Sequence, residues 1–75
     1  MTDSLIYRVK TKKRHIAYIN FIIEAMDGMA VVRTADPEDG LLEILVSPDF
    51  EADFLKLAGA LSGEMEFRVI TPAGG

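Results

Sequence analysis

Residues 29–47 read Met29-Ala30-Val31-Val32-Arg33-Thr34-Ala35-Asp36-Pro37-Glu38-Asp39-Gly40-Leu41-Leu42-Glu43-Ile44-Leu45-Val46-Ser47, and this stretch decides the fold. Residues 29–35 and 41–47 each alternate with period two and are rich in β-branched and aliphatic side chains, the pattern of a strand with one buried face. Between them lies a turn with a mechanism. Proline fixes φ near −65° for an early turn position, and glycine takes the positive-φ position that closes it. A regular hairpin would set Ala35 against Leu41, Arg33 against Glu43 and Val31 against Leu45. Arg33 and Glu43 would then form an opposite-charge cross-strand pair, worth under about 1 kcal/mol.

Working outward, the segments on both sides change period. Residues 13–27 hold helix-compatible side chains and end before Gly28, a plausible C-cap. On the other side, Ser47 can cap a second helix, Pro48 suits its first turn, and Asp49 complements the positive end of its dipole. Phe50, Phe54, Leu57, Ala58 and Leu61 share one stripe of that helix, and Gly63 is expected to end it. At the two ends of the chain the period returns to two. Leu5, Tyr7 and Val9 alternate with Ile6, Arg8 and Lys10, while Met65, Phe67 and Val69 alternate with Glu66, Arg68 and Ile70.

The order strand, helix, strand, strand, helix, strand predicts an α+β, ferredoxin-like βαββαβ fold. Its four-stranded antiparallel sheet should run in the order 4-1-3-2, with both helices on one face. One domain over residues 1–75 is expected, with residues 71–75 as a flexible tail.

Composition narrows the function classes. Almost half of the 75 residues are apolar, 27% are charged, and there is no cysteine. A cysteine-free chain holds no disulfide, no thiolate nucleophile and no C-x-x-C metal or cluster motif, which favours a reducing compartment. The start, Met1-Thr2-Asp3-Ser4, lacks a charged region followed by an apolar run. The densest apolar run, residues 16–26, is short and broken by Asn20 and Glu24. A cytoplasmic protein away from membranes is expected. A net charge of −4 argues against nucleic acid as a partner, and Leu41-Leu42-Glu43-Ile44-Leu45 offers no aromatic platform for RNA.

Five of the eight basic residues, Arg8, Lys10, Lys12, Lys13 and Arg14, nevertheless fall in one short segment. With free N–H groups at a helix start, Lys12, Lys13, Arg14 and His15 could receive a carboxylate or phosphate. The bland alternative is a solvated turn costing tenths of a kcal/mol. His15 is the sole histidine and makes no metal site without companions, so packing or capping at the helix start is its expected role. The carboxylate pairs Glu24/Asp27 and Glu64/Glu66 read as solvated faces rather than an acid–base pair. No metal, cofactor or catalytic residue is expected, and the chain is read as not an enzyme. Gly74-Gly75 matches the ending of sulfur carriers, but those open with a hairpin before the helix, unlike this chain.

The first helix is apolar on more sides than a core requires. Ile16, Ile19, Ile22, Ile23 and Met26 cover a core-facing side, and Ala17, Tyr18, Phe21 and Ala25 leave a second side apolar as well. On the sheet, Ile6, Val31, Leu41, Leu45 and Ile70 would point away from the helices, mixed with charged residues. Folds of this class commonly cover that face by pairing sheets. A homodimer is expected, with Tyr18, Phe21, Ala25, Ile6, Val31 and Leu45 as interface candidates, and a further protein partner could use the same surfaces.

Two resemblances bear on this. The run Lys13-Arg14-His15-Ile16-Ala17-Tyr18 through Ile22-Ile23-Glu24-Ala25-Met26, with Ala30-Val31-Val32-Arg33-Thr34 and Ile44-Leu45-Val46-Ser47-Pro48-Asp49, resembles a family of short bacterial proteins known as domain of unknown function 4911. That family implies no activity, substrate or catalytic residue. The topology is similar to that of ACT domains, small modules that bind amino acids and regulate enzymes. That likeness implies an alternative role: sensing a small anionic metabolite at the loop Thr11-Lys12-Lys13-Arg14, although the glycine usual in that loop is absent.

Overall fold

The computed structural model describes residues 5–26 and 28–71. Strand β1 (Leu5–Thr11) leads through a single 3₁₀ turn, Lys13–His15, into helix α1 (Ile16–Glu24). Strands β2 (Ala30–Asp36) and β3 (Leu41–Val46) form the hairpin. A second 3₁₀ turn, Pro48–Phe50, opens helix α2 (Glu51–Glu64), and strand β4 (Phe67–Thr71) closes the fold. The strands pair antiparallel in the order β2-β3-β1-β4, which is the expected 4-1-3-2 read from the other edge.

One cluster of side chains joins the layers. Tyr7 and Val9 from β1, Leu42, Ile44 and Val46 from β3, and Phe67 from β4 are buried together with Ile19 and Ile23 of α1 and Phe54, Ala58 and Leu61 of α2. The strand residues in this cluster share one side of the pleat. Both helices therefore lie on the same face of the sheet, and the opposite face carries no helix.

The hairpin keeps Arg33 opposite Glu43 and Val31 opposite Leu45, but Leu41 pairs with Asp36 rather than with Ala35. The turn explains the shift. The Asp36 carboxylate accepts the Asp39 N–H at 3.3 Å, and the Pro37 carbonyl accepts the Gly40 N–H at 3.2 Å. Asp36 is thereby held opposite Leu41 and Ala35 becomes a bulge. Gly40 takes the positive φ of +65° that the turn requires.

Several helix boundaries differ from the sequence reading. No side chain caps the start of either helix, and the His15 N–H is instead satisfied by the Lys12 carbonyl at 2.8 Å, tightening that turn to 3₁₀ geometry. His15 stands at the N-cap of α1 without a capping bond. Helix α1 stops at Glu24, so Met26 lies in the turn and is 42% exposed instead of core-facing. Gly28 adopts φ +77°, as its position after the helix suggested, while Asp27 lies outside the described residues. Ser47 does not cap α2 with its side chain. Its hydroxyl donates to the Gly28 carbonyl at 3.2 Å, tying the α1–β2 turn to the end of β3. Gly63 does not end α2, which continues to Glu64 until Met65 turns extended. Of the expected tail, residues 71–75, Thr71 is the last residue of β4, and residues 72–75, with Gly74-Gly75, are outside the described residues.

Candidate functional site

The helix-free face of the sheet is ordered in rows by the strand registers. Ile6 of β1 stands opposite Leu45 of β3, which in turn stands opposite Val31 of β2. These three aliphatic side chains form a transverse row across three strands. Ile6 and Val31 are exposed, Val31 by 58%, and Leu45 between them is half-buried.

The next row on the same face is charged. Arg8, Glu43 and Arg33 stand in line, and the central carboxylate pairs with Arg8 at 3.4 Å and with Arg33 at 3.6 Å. The expected Arg33–Glu43 pair is therefore part of a three-member bridge. A third row holds Lys10, Leu41 and Asp36, with Arg68 beside Lys10 on β4. A shallow depression lined by Gly28, Ala30, Val31, Arg33, Leu45 and Ser47 borders the apolar row at the β2 edge. Ile70, next to a register shift in the β1–β4 pairing, adds a further exposed side chain at 52%.

Tyr18 and Phe21 on α1 and Ala25 at its C-cap are all exposed, and Phe21 at 70% is the most exposed large apolar side chain among the described residues. They face away from Ile19 and Ile23, which are fully buried against the sheet. The two candidate surfaces thus lie on opposite sides of the molecule.

The basic loop is partly neutralised by the hairpin turn. Lys13 pairs with Glu38 at 2.7 Å and Lys10 with Asp39 at 3.4 Å, both at the surface. Pairs this exposed stabilise by about 1 kcal/mol or less. Lys12 and Arg14 are exposed and form no ion pair among the described residues, and His15 is half-buried.

Two polar contacts inside the fold could not be read from the chain, because they join residues 44 and 55 positions apart. The Tyr7 hydroxyl donates to the Glu51 carboxylate and anchors the first turn of α2 to β1. That hydrogen bond, then burial, then the negative charge of Glu51 push the Tyr7 phenol up to about 12, so it remains a donor at neutral pH. The buried Thr11 hydroxyl donates to the Glu66 carbonyl and fixes the start of β4. The first ties a helix to the sheet and the second joins two neighbouring strands; neither reaches the open face.

Among the described residues no group of three or more His, Cys, Asp or Glu converges as a metal site, and no helix is long and apolar enough to cross a membrane. The described surface carries an apolar row beside a bridged charged row on the open sheet face and an aromatic stripe on the helical side.

Comparison with known proteins gives one positive result. The family model described as domain of unknown function (DUF4911) matches residues 9–65, well over half of the chain. No curated protein and no solved structure matches.

Proposed function

We propose that this chain, which belongs to the DUF4911 family, works as a small, non-enzymatic, cytoplasmic homodimer that serves as a binding or regulatory module. The observation that carries the reading is the apolar row Ile6–Leu45–Val31 set beside the bridged row Arg8–Glu43–Arg33. An unbroken line of aliphatic side chains across three strands is costly to leave in water, at roughly 25 cal/mol per Å² of apolar surface. A second copy of the same face covers it.

Charge selects how the copies meet. The bridged row has two arginines and one glutamate, so it carries one positive charge in excess. A two-fold axis running along the strands would lay these rows on each other and bring arginine against arginine. An axis along the apolar row instead stacks Ile6, Leu45 and Val31 on their own copies and sends the charged rows to opposite sides. The second arrangement has no like-charge contact and is the one proposed.

Leu45 lies in the middle of that row, so it should meet Leu45 of the second copy. The chain has no cysteine, so one introduced thiol reports one contact. Under mild oxidation Leu45→Cys is expected to form a disulfide-linked dimer, and Glu38→Cys at the exposed turn is expected to stay unlinked. A folded Leu45→Cys chain that links no faster than the control would overturn the reading.

The anion-sensing alternative, read at Lys12, Lys13, Arg14 and His15, is left with Lys12, Arg14 and the half-buried His15, because Glu38 already pairs with Lys13. It has less in its favour for that reason.

A further inference from the structure

Six exposed residues make one continuous stripe along the outer side of α1 and the turn before it: Arg14, Ala17, Tyr18, Phe21, Glu24 and Ala25. Two ladders of three- and four-residue steps run through them, 14-17-21-24 and 14-18-21-25, sharing Arg14 and Phe21. That spacing puts Ala17, Tyr18, Phe21 and Glu24 on one face of α1, with Arg14 in the 3₁₀ turn before it and Ala25 at its C-cap continuing the line. Ile19 and Ile23 on the other side are fully buried, so rotation of the helix cannot hide the stripe.

The stripe is polar only at its ends. It begins with a cation, Arg14, and finishes with an anion, Glu24, and neither forms an ion pair among the described residues. Between them stand two aromatic rings and one small residue, Ala17; Ala25, beside Glu24, is a second. A surface that is its own complement after reversal is what a two-fold contact between identical helices needs. The alanines let two such helices approach to the roughly 8–10 Å of close helix packing.

We propose that a second copy of this chain docks antiparallel on the stripe, about a two-fold axis crossing α1 between Tyr18 and Phe21. Reversal places Arg14 beside Glu24 of the other copy at both ends, while the aromatic rings pack at the centre. Parallel docking would set Arg14 on Arg14 and Glu24 on Glu24. The end pairs are exposed, so they fix orientation, and the rings supply most of the affinity. This contact is independent of the open sheet face, which lies on the opposite side and remains available, so it joins sheet-face homodimers to one another rather than replacing them.

Charge exchange tests it without touching the core. Arg14→Glu leaves two acidic ends, Glu24→Arg leaves two basic ends, and each variant alone is expected to self-associate about tenfold more weakly through α1 than the unmodified chain. Mixed in equal amounts, the two variants regain complementary ends and should associate with each other as strongly as the unmodified chain does with itself. Phe21→Glu should remove the contact altogether. Sedimentation velocity reads these changes as loss and recovery of the largest assembly. Single variants that sediment like the unmodified chain, or a mixture that recovers nothing, would overturn the proposal. A failure of the sheet-face contact would leave this pattern of loss and recovery unchanged, since no residue of that face is altered.

Discussion

Replacing Gly40 with alanine is expected to destabilise the chain by about 3 kcal/mol or more, a large share of the roughly 5 kcal/mol available to a domain this small. Two effects add. Gly40 has φ +65°, a left-handed conformation that costs an L side chain about 1 kcal/mol. The larger effect is steric. A Cβ built on Gly40 would lie 1.9 Å from the Thr11 carbonyl oxygen and 2.7 Å from its carbon, backbone atoms that cannot swing aside. The Thr11 N–H donates to the Gly40 carbonyl at 2.8 Å, so the hairpin tip and the end of β1 must move together or lose that bond. Thr11 is itself buried and bonded to Glu66, and the disturbance therefore reaches β4. Gly28 supplies the control. It also has positive φ, +77°, but a Cβ placed there would meet nothing within 4 Å, so Gly28→Ala should cost only about 1 kcal/mol. Urea denaturation of both variants separates the two effects. Equal losses would show that contact with Thr11 does not govern the site.

Phe54→Ala is expected to cost about 3–5 kcal/mol, the range for deleting a buried aromatic ring. Phe54 is completely buried and is the largest of the fully buried side chains. Its ring lies 5.0 Å from that of Tyr7, tilted by 39°, in the geometry aromatic pairs favour. Helix α2 buries Phe54, Ala58 and Leu61, with Leu57 partly buried beside them, so losing the ring removes the largest side chain it places in the core. The hydrogen bond from Tyr7 to Glu51 depends on the same packing. Leu55, the next residue, is 47% exposed, and Leu55→Ala should change stability by only about 0.5 kcal/mol. Thermal or urea unfolding followed by circular dichroism compares the pair, and similar losses would contradict the assignment of Phe54 to the centre of the core.

The features legible in the chain are those set by local period and composition. Leu5–Thr11 is a strand from end to end because Tyr7, Val9 and Thr11 turn to the buried face while Ile6, Arg8 and Lys10 turn away from it. Arg33 and Glu43 meet because a short Pro/Gly turn leaves little freedom of register. What was not legible depends on contacts made elsewhere. The bulge at Ala35 follows from Asp36 bonding within the turn, and the Ser47 hydroxyl is drawn from α2 by the Gly28 carbonyl. Gly63 stays helical because no positive φ is imposed on it there. The exposure of Tyr18 and Phe21 followed from a helical wheel, whereas the row Ile6–Leu45–Val31 required the pairing of β1 with β3, strands separated by a helix and a third strand. Sequence named the members of that face; only the register placed them in line.

Light scattering on the Phe21→Glu chain at micromolar concentration tests the central claim most directly, because this substitution leaves the open sheet face as the one remaining self-contact. The account predicts a mass of twice 8.3 kDa. A folded species of 8.3 kDa at that concentration would contradict it.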